Sequence, residues 1–206
     1  QNEETGRVDN FRKAAGMMEG PFEGQRYNDS DVYKSIEAAS YALAQSDDPA
    51  LDAQLDELID LVAASQMEDG YIFPAWTIDP GNPARGVARE RWALTNSNSH
   101  ELYGNGHMIE AAVAHYRATG KRTLLDVAIR AADHIDEHFG PEKFRATSGH
   151  EEIELALVKL YDVTGEKRYL ELAKFFLDER GHEHDAATEP EDSDFARYDN
   201  RIYRQD

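Results

Sequence analysis

Two histidines stand fifty residues apart, each followed directly by a glutamate: His100-Glu101 and His150-Glu151. A neutral imidazole carries one hydrogen-bond donor and one acceptor. A pair of them suits a ligand whose groups both give and take hydrogen bonds, as sugar hydroxyls do. The plainer reading is that each histidine satisfies a turn or caps a helix. Tyr71, Phe73, Trp76 and Trp92 lie in the stretch that leads to His100. An aromatic face can pack on a sugar ring, or it can fasten its own loop to the fold. Carboxylates are the other groups that cleave glycosidic bonds, as an acid and a base or nucleophile across the scissile bond. Asp29, Asp31, Glu101, Glu151, Glu152 and Glu154 are candidates. With 41 acidic residues in the chain, no spacing selects one pair.

Other histidines are weaker candidates. His134 and His138 are four apart on one predicted helix, a spacing that metal sites use. No third ligand accompanies them, and Asp133 and Glu137 suit a solvated face. No metal ligand is therefore assigned in this chain. His107 and His115 flank Glu110 on another predicted helix and read as core-edge residues, and His182 and His184 lie in an acidic stretch.

The elements that hold these residues follow from a repeat. The segment Tyr116-Arg117-Ala118-Thr119-Gly120-Lys121 has a counterpart in Tyr161-Asp162-Val163-Thr164-Gly165-Glu166, each followed by a second apolar helix. Each copy reads as a helix, a Thr-Gly stop and a returning helix. Such a hairpin buries its apolar face only by stacking on neighbours. The pattern predicts three hairpins. Their helices run over 32–45 and 50–66, 102–118 and 122–139, and 151–163 and 167–180. Residues 1–28 form a covering arm, and 182–206 an irregular tail. The fold class is all-α in a single domain, an α/α solenoid or toroid. Loops inside a hairpin are short, while those joining hairpins, 67–99 and 140–149, are long. In stacked hairpins equivalent loops share an end, so His100 and His150 are expected on one rim.

Composition removes several function classes. The net charge of -19 repels phosphate backbones and anionic lipid surfaces, so a nucleic-acid partner is set aside. No run of about 18 apolar residues is present, so no membrane span is expected. The chain has no cysteine. The polar, acidic opening from Gln1 to Asn10 lacks the character of a signal peptide and sets a cytoplasmic location as the expectation.

The segment Ser99-His100-Glu101-Leu102-Tyr103-Gly104-Asn105-Gly106-His107-Met108-Ile109-Glu110 resembles the signature of the β-L-arabinofuranosidase family of glycoside hydrolases. So does Gly149-His150-Glu151-Glu152-Ile153-Glu154-Leu155, and Asp29-Ser30-Asp31-Val32-Tyr33-Lys34, Asp69-Gly70-Tyr71, Thr77-Ile78-Asp79-Pro80 and Phe175-Phe176-Leu177-Asp178 follow the same order. The resemblance implies an (α/α)6 barrel. It also implies a retaining, exo-acting glycosidase with a zinc-bound cysteine nucleophile and a glutamate acid/base. By position, His100 and His150 match histidines that hydrogen-bond the sugar nearest the cleaved bond. Tyr71 and Trp76 are the aromatic candidates for shaping the mouth of that pocket. The zinc-ligand cysteines and catalytic glutamates would lie downstream of Asp206, so zinc is expected in the complete enzyme and none in this chain. The chain reads as the N-terminal half of such an enzyme, inactive alone. Its open hairpins are expected to pack on the missing half or to form a homodimer. Two other readings stay open: another (α/α)-barrel carbohydrate enzyme, of the unsaturated glucuronyl hydrolase or epimerase type, and a non-enzymatic helical-repeat interaction module.

Overall fold

The computed structural model describes residues 2–95 and 99–182. Eight helices appear among them: α1 (Arg7–Ala14), α2 (Asp29–Leu43), α3 (Pro49–Ala64), α4 (Pro74–Thr77), α5 (Glu101–Thr119), α6 (Thr123–His138), α7 (Ile153–Thr164) and α8 (Lys167–Glu179). No strand occurs among the described residues beyond an isolated bridge between Phe139 and Phe144. Among the described residues no helix is long and apolar enough to cross a membrane. The tail beyond residue 182, with His184, and the Asn96–Asn98 approach to His100 lie outside the described residues.

The helix ends follow from local chemistry. At α3 the Asp48 carboxylate accepts from the backbone N–H groups of Ala50 and Leu51, both at 3.1 Å, and Pro49 occupies the first turn, where no N–H is needed. The Thr-Gly repeat is the same device built twice. Gly120 (φ 75) and Gly165 (φ 73) take the left-handed conformation that ends α5 and α7. Thr119 Oγ1 donates to the His115 carbonyl and Thr164 Oγ1 to the Leu160 carbonyl, each at 2.8 Å. Each hydroxyl then accepts from the backbone N–H two residues on, at Lys121 and Glu166.

The three hairpins are α2–α3, α5–α6 and α7–α8. Helices α2, α5 and α7 pack side by side as an inner layer, while α3, α6 and α8 follow one another outside it. This is the arrangement of an α/α toroid. Helix α5 is the centre of the inner layer and is buried almost all round, with Leu102, Met108, Ile109, Ala111, Ala112 and Val113 in the core. The arm contains a helix that the punctuated sequence did not reveal. Helix α1 buries Val8 and Phe11, and the Phe11 ring meets Tyr33 edge-on at 5.6 Å. Arg7 pairs with Asp31 at 2.8 Å and holds the arm against α2. At the other end of the stack, Leu155, Val158, Leu170 and Leu177 remain exposed on α7 and α8.

Candidate sugar-binding site

The inner helices bring their N-terminal ends together, and the candidate residues with them. His100 is the residue before α5, held at φ 64, and its carbonyl accepts from the Gly104 N–H at 2.8 Å. His150 ends the loop before α7, and its N–H donates to Ser148 Oγ. The two imidazole rings are 5.1 Å apart between centroids. Tyr103, one turn into α5, lies 5.5 Å from His100 and 5.2 Å from His150, and Tyr27 from the arm lies 4.8 Å from His100. The Lys34 ammonium donates to the Tyr103 hydroxyl at 2.7 Å and fixes that ring from α2. His100 is half-buried and His150 exposed at this rim.

Two helix-interior glycines make this convergence possible. Glycine inside a helix costs about 1 kcal/mol relative to alanine, so its presence twice in Gly104-Asn105-Gly106 needs a reason. A Cβ on Gly106 would lie 2.6 Å from Glu152 Cγ and 3.1 Å from the Ile153 backbone nitrogen. One on Gly104 would lie 2.9 Å from Asp29 Oδ2. The start of α7 and the start of α2 therefore press directly on the α5 backbone. Nothing in the sequence alone drew attention to these glycines as packing residues.

Behind the histidines lies a cluster of titratable groups. His107 Nδ1 is 3.0 Å from Glu152 Oε1 and 3.8 Å from Glu110 Oε2, and Lys159 pairs with Glu110. Burial and the neighbouring Glu110 carboxylate push Glu152 up to about 8. Glu110 is lowered: burial acts against it, but its hydrogen bond with Glu152 and the Lys159 ammonium prevail. Burial pushes His107 down to about 4, with Lys34 acting in the same direction. Burial and mutual repulsion thus favour a proton shared by this pair of carboxyl groups, beside an imidazole held toward its uncharged form. Two carboxyl groups sharing a hydrogen bond are too close to bracket a glycosidic bond, which needs about 5–5.5 Å between them in retaining enzymes. Asp29 is also buried at this end, and desolvation raises it to about 7 against the Ser30 N–H that bonds it.

The remaining expected site residues separate into other roles. Tyr71 is only 1% exposed, and its hydroxyl donates to Glu101 Oε1 at 2.7 Å. The mouth-shaping role expected of it is corrected: it is a core residue, because its one polar group is consumed by a buried carboxylate. Glu101 also accepts from the Trp92 N–H at 3.0 Å, so it ties the 67–99 loop to α5. Trp76 is half-buried, packs edge-on against Tyr71 at 5.5 Å, donates to the Arg89 carbonyl and lies under the Arg91 guanidinium. Trp92 is buried at φ 66 against Tyr71, His134 and Phe139. His134 and His138 pack against Trp92. His134 also lies 3.0 Å from the Asp69 carbonyl, so the pair anchors this loop. Glu154 is bound by Arg180 at 2.7 Å, and Arg180 also donates to the Ser148 carbonyl. Glu151 is exposed, 3.5 Å from the same guanidinium.

A profile of the beta-L-arabinofuranosidase, GH127 catalytic domain, matches residues 1–201. The chain belongs to the GH127 β-L-arabinofuranosidase family. It is 47% identical over 178 residues to the non-reducing end β-L-arabinofuranosidase of Bifidobacterium longum subsp. longum, a match covering 85% of this chain and 26% of that protein. The crystal structure of a GH127 β-L-arabinofuranosidase from Geobacillus stearothermophilus T6 superimposes with a TM-score of 0.80 at 44% identity, covering 87% of this chain and 27% of that one. A further GH127 β-arabinofuranosidase structure gives 0.82 at 48% identity, over 87% and 29% of the two chains. The chain spans about a quarter of the length of these relatives. Its hairpins are part of the GH127 (α/α)6 barrel. The thiolate donors of a cysteine-held zinc are not supplied by these 206 residues, none of which is a cysteine.

Proposed function

We propose that this chain forms the His100/His150 wall of the sugar subsite in an exo-acting glycoside hydrolase that releases terminal β-L-arabinofuranosyl or closely similar residues. The observation that carries the reading is the 5.1 Å approach of two imidazoles from successive hairpins at the mouth of the inner helices. At that separation both can reach adjacent hydroxyls of one furanose ring. Tyr103, held by Lys34, sets the floor between them. The chemistry assigned to residues 1–206 is binding and orientation. Bond cleavage, and the zinc implied for the complete enzyme, belong to residues outside this segment. The exposed Leu155, Val158, Leu170 and Leu177 face is the surface on which a following hairpin would stack.

The test is hydrolysis of an aryl β-L-arabinofuranoside by the complete protein with His100→Ala or His150→Ala. Each substitution removes a hydrogen bond to the bound sugar, so kcat/KM is expected to fall about 10- to 100-fold. Unchanged kcat/KM in both variants would place the sugar elsewhere and favour the interaction-module reading.

A further inference from the structure

His115 lies fifteen residues after His100 on α5, roughly 22 Å farther along the helix axis at the usual rise per residue. It is 1% exposed, and neither ring nitrogen has a hydrogen-bond partner. A buried imidazole with an unused donor and an unused acceptor is rare in native structures. One of its nitrogens lies within 4.8 Å of a carboxylate oxygen from each of Asp52 and Asp56, which are themselves within the same distance of one another. Those two residues are four apart on α3, so their side chains share a face. The Lys121 ammonium sits between them, 2.7 Å from Asp52 Oδ1 and 2.6 Å from Asp56 Oδ2.

We propose that Asp52, Asp56 and His115 form a divalent-cation site of the zinc class, in which the Lys121 ammonium takes the cation's place when no metal is bound. One nitrogen and two carboxylate oxygens make a three-ligand set with an open position toward solvent. The imidazole selects zinc and its neighbours in the first transition row over calcium and magnesium, which prefer oxygen alone. Donors around a tetrahedral zinc stand about 3.4 Å apart at bond lengths of about 2.1 Å. The three groups therefore close on the ion by side-chain rotation. Lys121 can leave because it stands just past the Gly120 stop with its side chain 36% exposed. A bound ion would pin α3 of the first hairpin to α5 of the second. It would share no residue with the His100/His150 rim.

The complete protein, stripped with a chelator, is titrated with zinc chloride, and bound metal is counted and located by anomalous diffraction at the zinc edge. The expected result is one zinc among Asp52, Asp56 and His115 in the native protein, absent from Asp56→Asn, whose half-exposed position keeps the fold intact. In Lys121→Met the same site should bind about tenfold more tightly, a gain of about 1.4 kcal/mol from losing the competing cation. No zinc at this position in either the native protein or Lys121→Met overturns the proposal. Zinc only in Lys121→Met overturns it too, because the native lysine then excludes the ion. Equal zinc at this position in native protein and Asp56→Asn removes Asp56 from the ligand set and sinks the assignment.

Discussion

The His100 and His150 rings meet at 5.1 Å although fifty residues separate them in the chain. Each is delivered by the loop that enters an inner helix, and the helices α5 and α7 pack against each other. Hairpin stacking thus converts a sequence period into a spatial pair. The backbone of His100 is bent to do this. Its φ of 64 lies in the left-handed region, where a residue with a Cβ carries a cost of about 1–2 kcal/mol. Such strain persists where the surroundings impose it, and often at functional sites.

That strain separates two substitutions. His100→Gly removes the ring and relieves the backbone, while His100→Ala removes the ring alone. Both should lose arabinofuranoside hydrolysis in the complete protein to a similar degree. The glycine variant should melt at a higher temperature than the alanine variant, and the opposite order in a thermal melt would contradict the conformation assigned to His100.

Gly106 offers a sharper packing test. Alanine there gains about 1 kcal/mol of helix propensity. Its Cβ, however, meets Glu152 Cγ at 2.6 Å and the Glu152 and Ile153 backbone at 3.1 Å, and overpacking of this kind costs about 1–3 kcal/mol. Gly106→Ala should therefore lower stability in a denaturant titration and, by pushing back the start of α7, raise KM through His150. At Gly104 the neighbour is a carboxylate oxygen of Asp29, at the end of a side chain that can turn away, so alanine there should be milder.

Tyr71 and Glu101 make a buried pair with no solvent to replace either partner. Tyr71→Phe keeps the ring in the core and leaves Glu101 with one fewer donor. The expected loss is about 1–3 kcal/mol of stability by urea unfolding, the usual cost of stranding a buried polar group. KM should be nearly unchanged, since the hydroxyl points into the loop anchor. A large KM change with normal stability would restore Tyr71 to the binding site.

Stability should also depend on pH in a defined window. Glu152 is raised to about 8 and Asp29 to about 7, so the folded protein retains protons that the unfolded chain releases near pH 4. The unfolded state then binds fewer protons, and stability falls as pH rises toward those values. The lowered histidines, His107, His115 and His138, act oppositely, but only below their ordinary value of about 6.5. Between about pH 6.5 and 8 the carboxyl groups therefore prevail, and the melting temperature should drop across that interval. Glu152→Gln, which keeps a donor toward Glu110, should flatten the drop. A native melting temperature that rises through this window would refute the shared-proton cluster.

Much of this architecture was legible in the chain because its signals are local. The Thr-Gly stops and the apolar spacing of six helices are short-range consequences of backbone hydrogen bonding and side-chain period. The pairing of His100 with His150 followed once the hairpins were stacked, since equivalent loops of a repeat must share an end. The buried role of Tyr71, the helix in residues 7–14 and the purpose of Gly104 and Gly106 were not legible. Each depends on what lies across a helix interface, where atoms distant in sequence come within a few ångströms. Nor could spacing reveal that His115 meets Asp52 and Asp56, because two different hairpins bring them together. Sequence alone determined the three hairpins and their order. Tertiary packing decided which polar groups face solvent, which share protons and which stand beside a lysine, because desolvation and charge proximity arise only when the layers close.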